Sequence, residues 1–251
     1  MAALIYRETD ATASNMLARA ALLRFVALAF AYPAPGHGAA VRREFAKLGH
    51  GDGMSGLPAG LIRAFKRAQL AWQAAEPGEL APTYLRLFAP NGAASLHEAA
   101  YGDGRRIAGR AAELADISGF YLAFGFTPSV ADPDLPDHLC SELEFLSGLC
   151  VKQAYAWNQG WTMSCRRARE AERAFLEQHI GRWVRAFRAN LADVAVTSPY
   201  FELADLAVAA VDGECRNLGV TPQPASGRMP FDFMQADEFD CPLAKAVPPA
   251  A

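Results

Sequence analysis

The residues with the most chemical potential stand together at Pro136-Asp137-His138-Leu139-Cys140-Ser141-Glu142. Proline presets the first turn of a helix, and Asp137 and Glu142 put negative charge near the positive end of its dipole. His138 lies four residues before Glu142, on the same side of a helix. This pattern fits a simple cap with a surface ion pair. It fits equally an acceptor-rich patch for cationic peptides. The local sequence does not separate the two.

Two further segments mix charge with aromatic residues. Tyr84-Leu85-Arg86-Leu87-Phe88 places Tyr84, Leu87 and Phe88 on one helical face, and core packing explains that as readily as binding. Leu96-His97-Glu98-Ala99-Ala100-Tyr101 reads as a loop with the composition of a binding surface. Gly102-Asp103-Gly104-Arg105-Arg106 precedes a helix and could offer backbone N–H groups to a phosphate. That segment is the basis of an alternative reading, a helical nucleotide- or small-molecule-binding protein.

No catalytic constellation accompanies these segments. The five histidines are never paired at i+3 or i+4, so no zinc helix is predicted. There is no GxxxxGK[ST] loop, no GxGxxG and no GxSxG elbow. The five cysteines, Cys140, Cys150, Cys165, Cys215 and Cys241, are odd in number and lack CxxC spacing. They read as free, buried thiols. A net charge of −3 speaks against nucleic acid as a partner. A binding protein is expected, not an enzyme, with no catalytic residue and no metal.

The elements that must position these groups are helical throughout. Ser14 caps a helix to about Tyr32, read as amphipathic through Met16, Ala20, Leu23, Ala27 and Phe30. Arg24 interrupts its apolar run, and Glu8 and Asp10 precede it, so neither a cleaved leader nor a stable membrane insertion is expected. Helices follow at 39–48, from Pro58 with Leu61, Phe65, Ala68 and Trp72 inward, at 82–88, and at 105–124 with Ile107, Leu114, Ile117 and Tyr121 inward. A long helix is predicted from Pro136 to Trp157, and another from Cys165 to Leu191. The last runs from Ser198-Pro199 to Leu218 and stops at Gly219. Hydrophobic residues at 52% supply a large core. The fold class is therefore all-α. One domain spans 1–219, with a hinge near 127–135, and a tail of little regular structure covers 220–251.

The three segments, in this order, resemble the TorD/DmsD family, also grouped with NarJ, of cytoplasmic molybdoenzyme chaperones. Its pattern is a tyrosine-x-x-leucine-phenylalanine stretch, a loop, then a proline-aspartate-histidine turn leading into an acidic-leucine helix. Phe175 to Trp183, with His179 and Phe187, matches a late helix of the family. Ser95 to Tyr101 is similar to the branch serving type II enzymes of the dimethyl sulfoxide reductase family, whose clients include dehydrogenases of dimethyl sulfide or ethylbenzene and selenate or chlorate reductases. The family often has a glutamate before the proline, where this chain has Asp132 and Asp134.

The resemblance implies a single all-helical TorD-like domain, as monomer or dimer, located in the cytoplasm. It implies binding of the twin-arginine signal peptide and the apo form of a molybdoenzyme catalytic subunit, help with cofactor insertion, and a block on premature export. No cofactor would be held tightly, with at most a transient contact with molybdopterin guanine dinucleotide or GTP. Asp137, Glu142 and Glu98 would pair with the arginines. Tyr84, Phe88, Tyr101 and Trp72 would floor the apolar run, and His138 would orient Asp137 or touch peptide backbone.

Overall fold

A computed structural model of the chain describes residues 13–50, 54, 57–90, 92–102, 107–127, 135–192 and 198–225, without the side chains of 107–109. Among them are nine α-helices: α1 (Ala13–Phe30), α2 (His37–Gly49), α3 (Ala59–Ala74), α4 (Leu80–Phe88), α5 (Ile107–Ala123), α6 (Leu139–Asn158), α7 (Thr162–Gln178), α8 (Ile180–Ala192) and α9 (Pro199–Leu218). Short 3-10 turns occupy Pro77–Glu79 and Glu98–Ala100. The one β feature among the described residues is an isolated antiparallel bridge between His97 and His138. The all-α class holds.

Helix α1 is the central strut, not the one-sided helix its spacing suggested. Leu22, Phe25, Val26 and Ala29 are buried along with the expected Met16, Ala20, Leu23, Ala27 and Phe30. A helix apolar around most of its circumference belongs inside a core. Its length and composition would suffice to cross a membrane, but here it lies along α6. Ser147 Oγ donates to the Ala20 carbonyl at 2.8 Å, and Cys140 Sγ lies 3.2 Å from the Ala27 carbonyl. Cys140, Cys150, Cys165 and Cys215 are free and buried, as expected, and Cys241 lies outside the described residues.

Two predicted helices begin or break elsewhere. The helix expected from Pro136 starts at Leu139. Pro136 and Asp137 form a turn closed by His138 N–H donating to the Leu135 carbonyl at 3.0 Å. The stretch expected as one helix from Cys165 to Leu191 is two, parted at His179, whose backbone sits at φ −123°, ψ −114°. Gly181 follows the break. A β-carbon there would overlap the Leu176 carbonyl oxygen and crowd Pro222, so the chain can re-enter a helix only without a side chain. Gly181→Ala is expected to lower stability by about 1–3 kcal/mol. Gly119→Ala, in open space on α5, should be neutral or stabilising by up to about 1 kcal/mol. Urea unfolding of both variants checks this, and equal midpoints would refute the explanation of the break.

The end of α9 follows its sequence signals. Ser198 Oγ accepts from Tyr200 N–H at 3.3 Å, and Gly219 adopts φ 63° as the terminal cap. Beyond it, Val220 is buried and Ala225 N–H donates to the Arg182 carbonyl at 2.8 Å, so 220–225 lie against α8. Most of the expected hinge (128–134), the Asp103–Arg106 part of the phosphate-loop candidate and the tail from 226 lie outside the described residues.

Candidate functional site

The Ser95–Tyr101 loop and the Pro136–His138 turn are far apart in sequence and are sewn together by backbone bonds. Glu98 N–H donates to the Asp137 carbonyl at 2.9 Å, and Leu139 N–H to the Leu96 carbonyl at 2.8 Å. His138 takes an extended backbone, and its Nδ1 accepts from Cys140 N–H at 3.2 Å. The histidine, not Asp137, therefore caps α6. Asp137 turns the other way. It meets His97 Nδ1 at 3.1 Å and accepts from Ala99 N–H at 3.3 Å. Burial would raise the Asp137 pKa, but His97, by hydrogen bond and charge, the Ala99 N–H and Arg110 outweigh it and hold the carboxylate below its ordinary range.

Helices α5, α7 and α8 close the other side. Glu98 Oε2 meets His179 Nδ1 at 3.2 Å, and His179 Nε2 lies 3.3 Å from Asp116. Trp183 Nε1–H donates to Glu142 Oε2 at 3.3 Å, and the Trp183 ring stacks on Tyr101 at 5.2 Å. Tyr121 and Tyr101 hydroxyls donate to the Pro136 and Ser95 carbonyls, each at 2.8 Å. Burial, then the neighbouring Glu98 charge, pushes the Glu142 pKa far up. Both causes favour its protonated form.

The eight residues singled out in the sequence fall into two joined groups. Asp137, His138, Glu142, Glu98 and Tyr101 share the loop–turn seam. Trp72, Tyr84 and Phe88 meet around Tyr200, with ring centroids 5.6, 5.7 and 5.5 Å from it. An aromatic chain links the groups through Tyr101–Trp183, Trp183–Phe187 and Phe187–Phe88. Tyr84 and Phe88 are half-buried and Trp72 is fully buried, its indole N–H on the Gly38 carbonyl. The three seam carboxyls are at most 2% exposed and are already engaged. Their bonds run to His97, His179 and Trp183.

Groups that sequence reasoning did not select complete the site. Glu113, Asp116, Glu177, His179 and Arg182, with Gln178 and Gln223, line an open cleft of about 670 Å³ beside the seam. Burial, reinforced by the Glu98 charge, raises Glu113 to about 7. Asp116 and Glu177 are exposed on α5 and α7. The helical spacing of α5 marks Ile117 and Tyr121 as inward; it could not show which partner the opposite face would meet.

A second buried cluster lies elsewhere. The Arg19 guanidinium donates to both Glu172 and Glu214, and Gln153 Nε2 donates to Glu172 at 2.6 Å. Cys150, Glu172 and Glu214 are close enough to hold a metal ion. The guanidinium already supplies their cation, so the arrangement needs no metal to neutralise it.

Comparison with known proteins places this geometry in context. Residues 55–189 match the model of the nitrate reductase delta subunit family. A perchlorate reductase assembly chaperone from Dechloromonas aromatica (strain RCB) is 33% identical over 42% of this chain and 46% of its own length. A selenate reductase assembly chaperone from Thauera selenatis is 34% identical over 43% of this chain and 55% of its own. A chlorate reductase assembly chaperone from Ideonella dechloratans is 31% identical over 56% of this chain and 70% of its own. The chain thus spans about half the length of the first two. Selenate and chlorate reductases are among the clients that the resemblance in the sequence named. The chain belongs to the nitrate reductase delta subunit family.

Proposed function

We propose that this member of the nitrate reductase delta subunit family is an assembly chaperone for a molybdoenzyme catalytic subunit, acting in the cytoplasm and carrying out no catalysis of its own. It binds the client's twin-arginine signal peptide and its apo form, favours insertion of the molybdenum cofactor as the client's cargo, and delays export. The observation that carries this reading is the set of three relatives, each named as an assembly chaperone of an oxyanion reductase. The absence of a catalytic motif in the sequence agrees with it.

The arginine contacts of this reading fall beside the seam, not in it. Asp137, Glu98 and Glu142 are buried and engaged, and releasing them for a ligand would cost their present bonds. The accessible carboxylates of the adjoining cleft, Asp116 and Glu177 with Glu113 at its wall, are the groups that receive a guanidinium. The aromatic chain beside them, ending in half-buried Tyr84 and Phe88, stiffens the wall and offers an apolar edge.

Titration calorimetry with a synthetic twin-arginine leader tests this. Asp116→Asn with Glu177→Gln is expected to weaken binding at least about tenfold, and replacing both leader arginines by alanine should do the same. Ionised Glu113 favours a cation, so affinity should rise between pH 6 and 8 as its proton, held at about 7, is lost. A wild-type protein that ignores the leader at every pH would overturn the chaperone reading. Tight binding that is indifferent to the two cleft substitutions would overturn only the assignment of the cleft.

A further inference from the structure

The turn between α6 and α7 is an exposed tip of unusual composition. From Phe145 to Arg169 the sequence contains no aspartate or glutamate, and it contains Lys152, Arg166, Arg167 and Arg169. Val151, Tyr155, Trp157, Trp161 and Met163 are all large apolar residues of this hairpin, and all are exposed. Tyr155 is 57% accessible, Trp161 52% and Met163 58%. The other two tryptophans, Trp72 and Trp183, are completely buried. Gly160 at φ 69° makes the sharp reversal that brings Trp161 against Tyr155, ring centroids 5.6 Å apart. Core packing does not explain side chains left half in water at the end of a bundle.

We propose that this tip is a docking site for an anionic lipid surface. Tryptophan and tyrosine favour the headgroup level of a bilayer, with one apolar and one polar end. Met163, exposed in the first turn of α7, adds apolar contact beside them. Arg166 and Arg167 follow Met163 by about one turn, roughly 5 Å along the helix axis. That depth matches headgroup phosphates when an apolar contact is buried about 5–10 Å. The chain as a whole carries −3, so a tip free of acids is a local reversal of sign suited to anionic lipid. The binding is peripheral and weak, and it would hold the chain near the membrane without any helix crossing it. It does not depend on the leader-binding reading above.

Flotation of the full chain with vesicles of phosphatidylcholine alone, and with vesicles containing phosphatidylglycerol, tests the proposal. Binding is expected only with the anionic lipid, and should be lost in high salt. Brominated acyl chains should quench roughly half of the tryptophan emission, since two of the four tryptophans are exposed. Arg166→Glu with Arg167→Glu should reduce vesicle binding at least about tenfold. Trp157→Phe with Trp161→Phe should abolish the quenching. Absence of flotation, equal binding to phosphatidylcholine alone, or binding without quenching would each overturn the proposal. Failure to bind vesicles together with loss of client capture in the arginine variant would make the tip a protein interface instead. The wild-type salt and quenching measurements decide the matter even if a variant fails to fold.

Discussion

Replacing Arg19 by alanine is expected to destabilise the chain by about 3–5 kcal/mol, the largest effect of any single polar substitution proposed for it. Arg19 sits inside α1 with only 7% of its side chain exposed. Burial opposes its charge, but Glu172, Cys150 and Glu214 reverse that and hold the guanidinium firmly protonated. Its Nε donates to Glu214 Oε2 at 2.7 Å, and its Nη2 serves both Glu172 and Glu214. One side chain therefore ties α1 to α7 and α9. Without it, two buried carboxyls keep no cation. Glu214 would have to take up a proton, because desolvation already raises it to about 7 with the arginine present.

The pH dependence of that variant follows in sign. A carboxyl whose folded pKa is raised binds its proton better folded than unfolded. Its favourable contribution is present below the unfolded value of about 4.5 and is lost as pH rises through the folded one. Losing Arg19 pushes Glu214 further up. The variant should therefore approach wild-type stability near pH 5 and fall away towards pH 8. Urea midpoints across that range measure it. A triple variant with Arg19→Met, Glu172→Leu and Glu214→Met should recover most of the loss, since an apolar replacement of a buried ion cluster is often neutral. An Arg19→Ala protein as stable as wild type at pH 8 would show that the cluster contributes nothing.

The parts of the fold written in local sequence were legible, and those set by distant partners were not. Ser198-Pro199 and Gly219 announced both ends of α9, because capping is chemistry between near neighbours. Pro136 misled for an instructive reason. A proline fits a first turn, but here the loop at Leu96–Glu98 claims the backbone of Asp137 and Leu139 first, and the helix starts three residues late. The break at His179 has no proline to mark it. There the imidazole sits between Glu98 and Asp116, residues more than sixty positions away. The Pro136-Asp137-His138 turn stands out in the sequence by its residue types. Its charges could be read from the sequence, but their burial could not, because burial is decided by α5, α7 and α8 closing over the seam.

Two carboxyls of that seam should answer differently to the same loss of charge. Asp137→Asn is expected to cost about 2–3 kcal/mol, whereas Glu142→Gln should cost under about 1 kcal/mol. Both residues have no measurable exposure, so burial alone would predict equal effects. The difference lies in their partners. Asp137 is ionised, with its pKa held down against burial by His97 and the Ala99 N–H. An asparagine keeps only one acceptor oxygen for two donors and loses the charge assisting both. Glu142 is pushed the other way, toward its neutral form, by burial and the neighbouring Glu98 charge. A glutamine carbonyl can still accept from Trp183 Nε1–H, and its amide replaces the acid O–H. Glu142→Leu, by contrast, strands the Trp183 N–H and should cost about 1–3 kcal/mol. The pH profiles separate the pair further. The contribution of Asp137 is present above its ordinary pKa of 3.8 and lost as pH falls through its lowered folded value, so the Asp137→Asn deficit should close in acid. The small Glu142→Gln deficit should not grow as pH rises from 5 to 7. Equal losses for the two isosteric variants at neutral pH would show that Glu142 is ionised in the folded chain, and would remove the basis for calling the seam a charged pair beside a neutral acid.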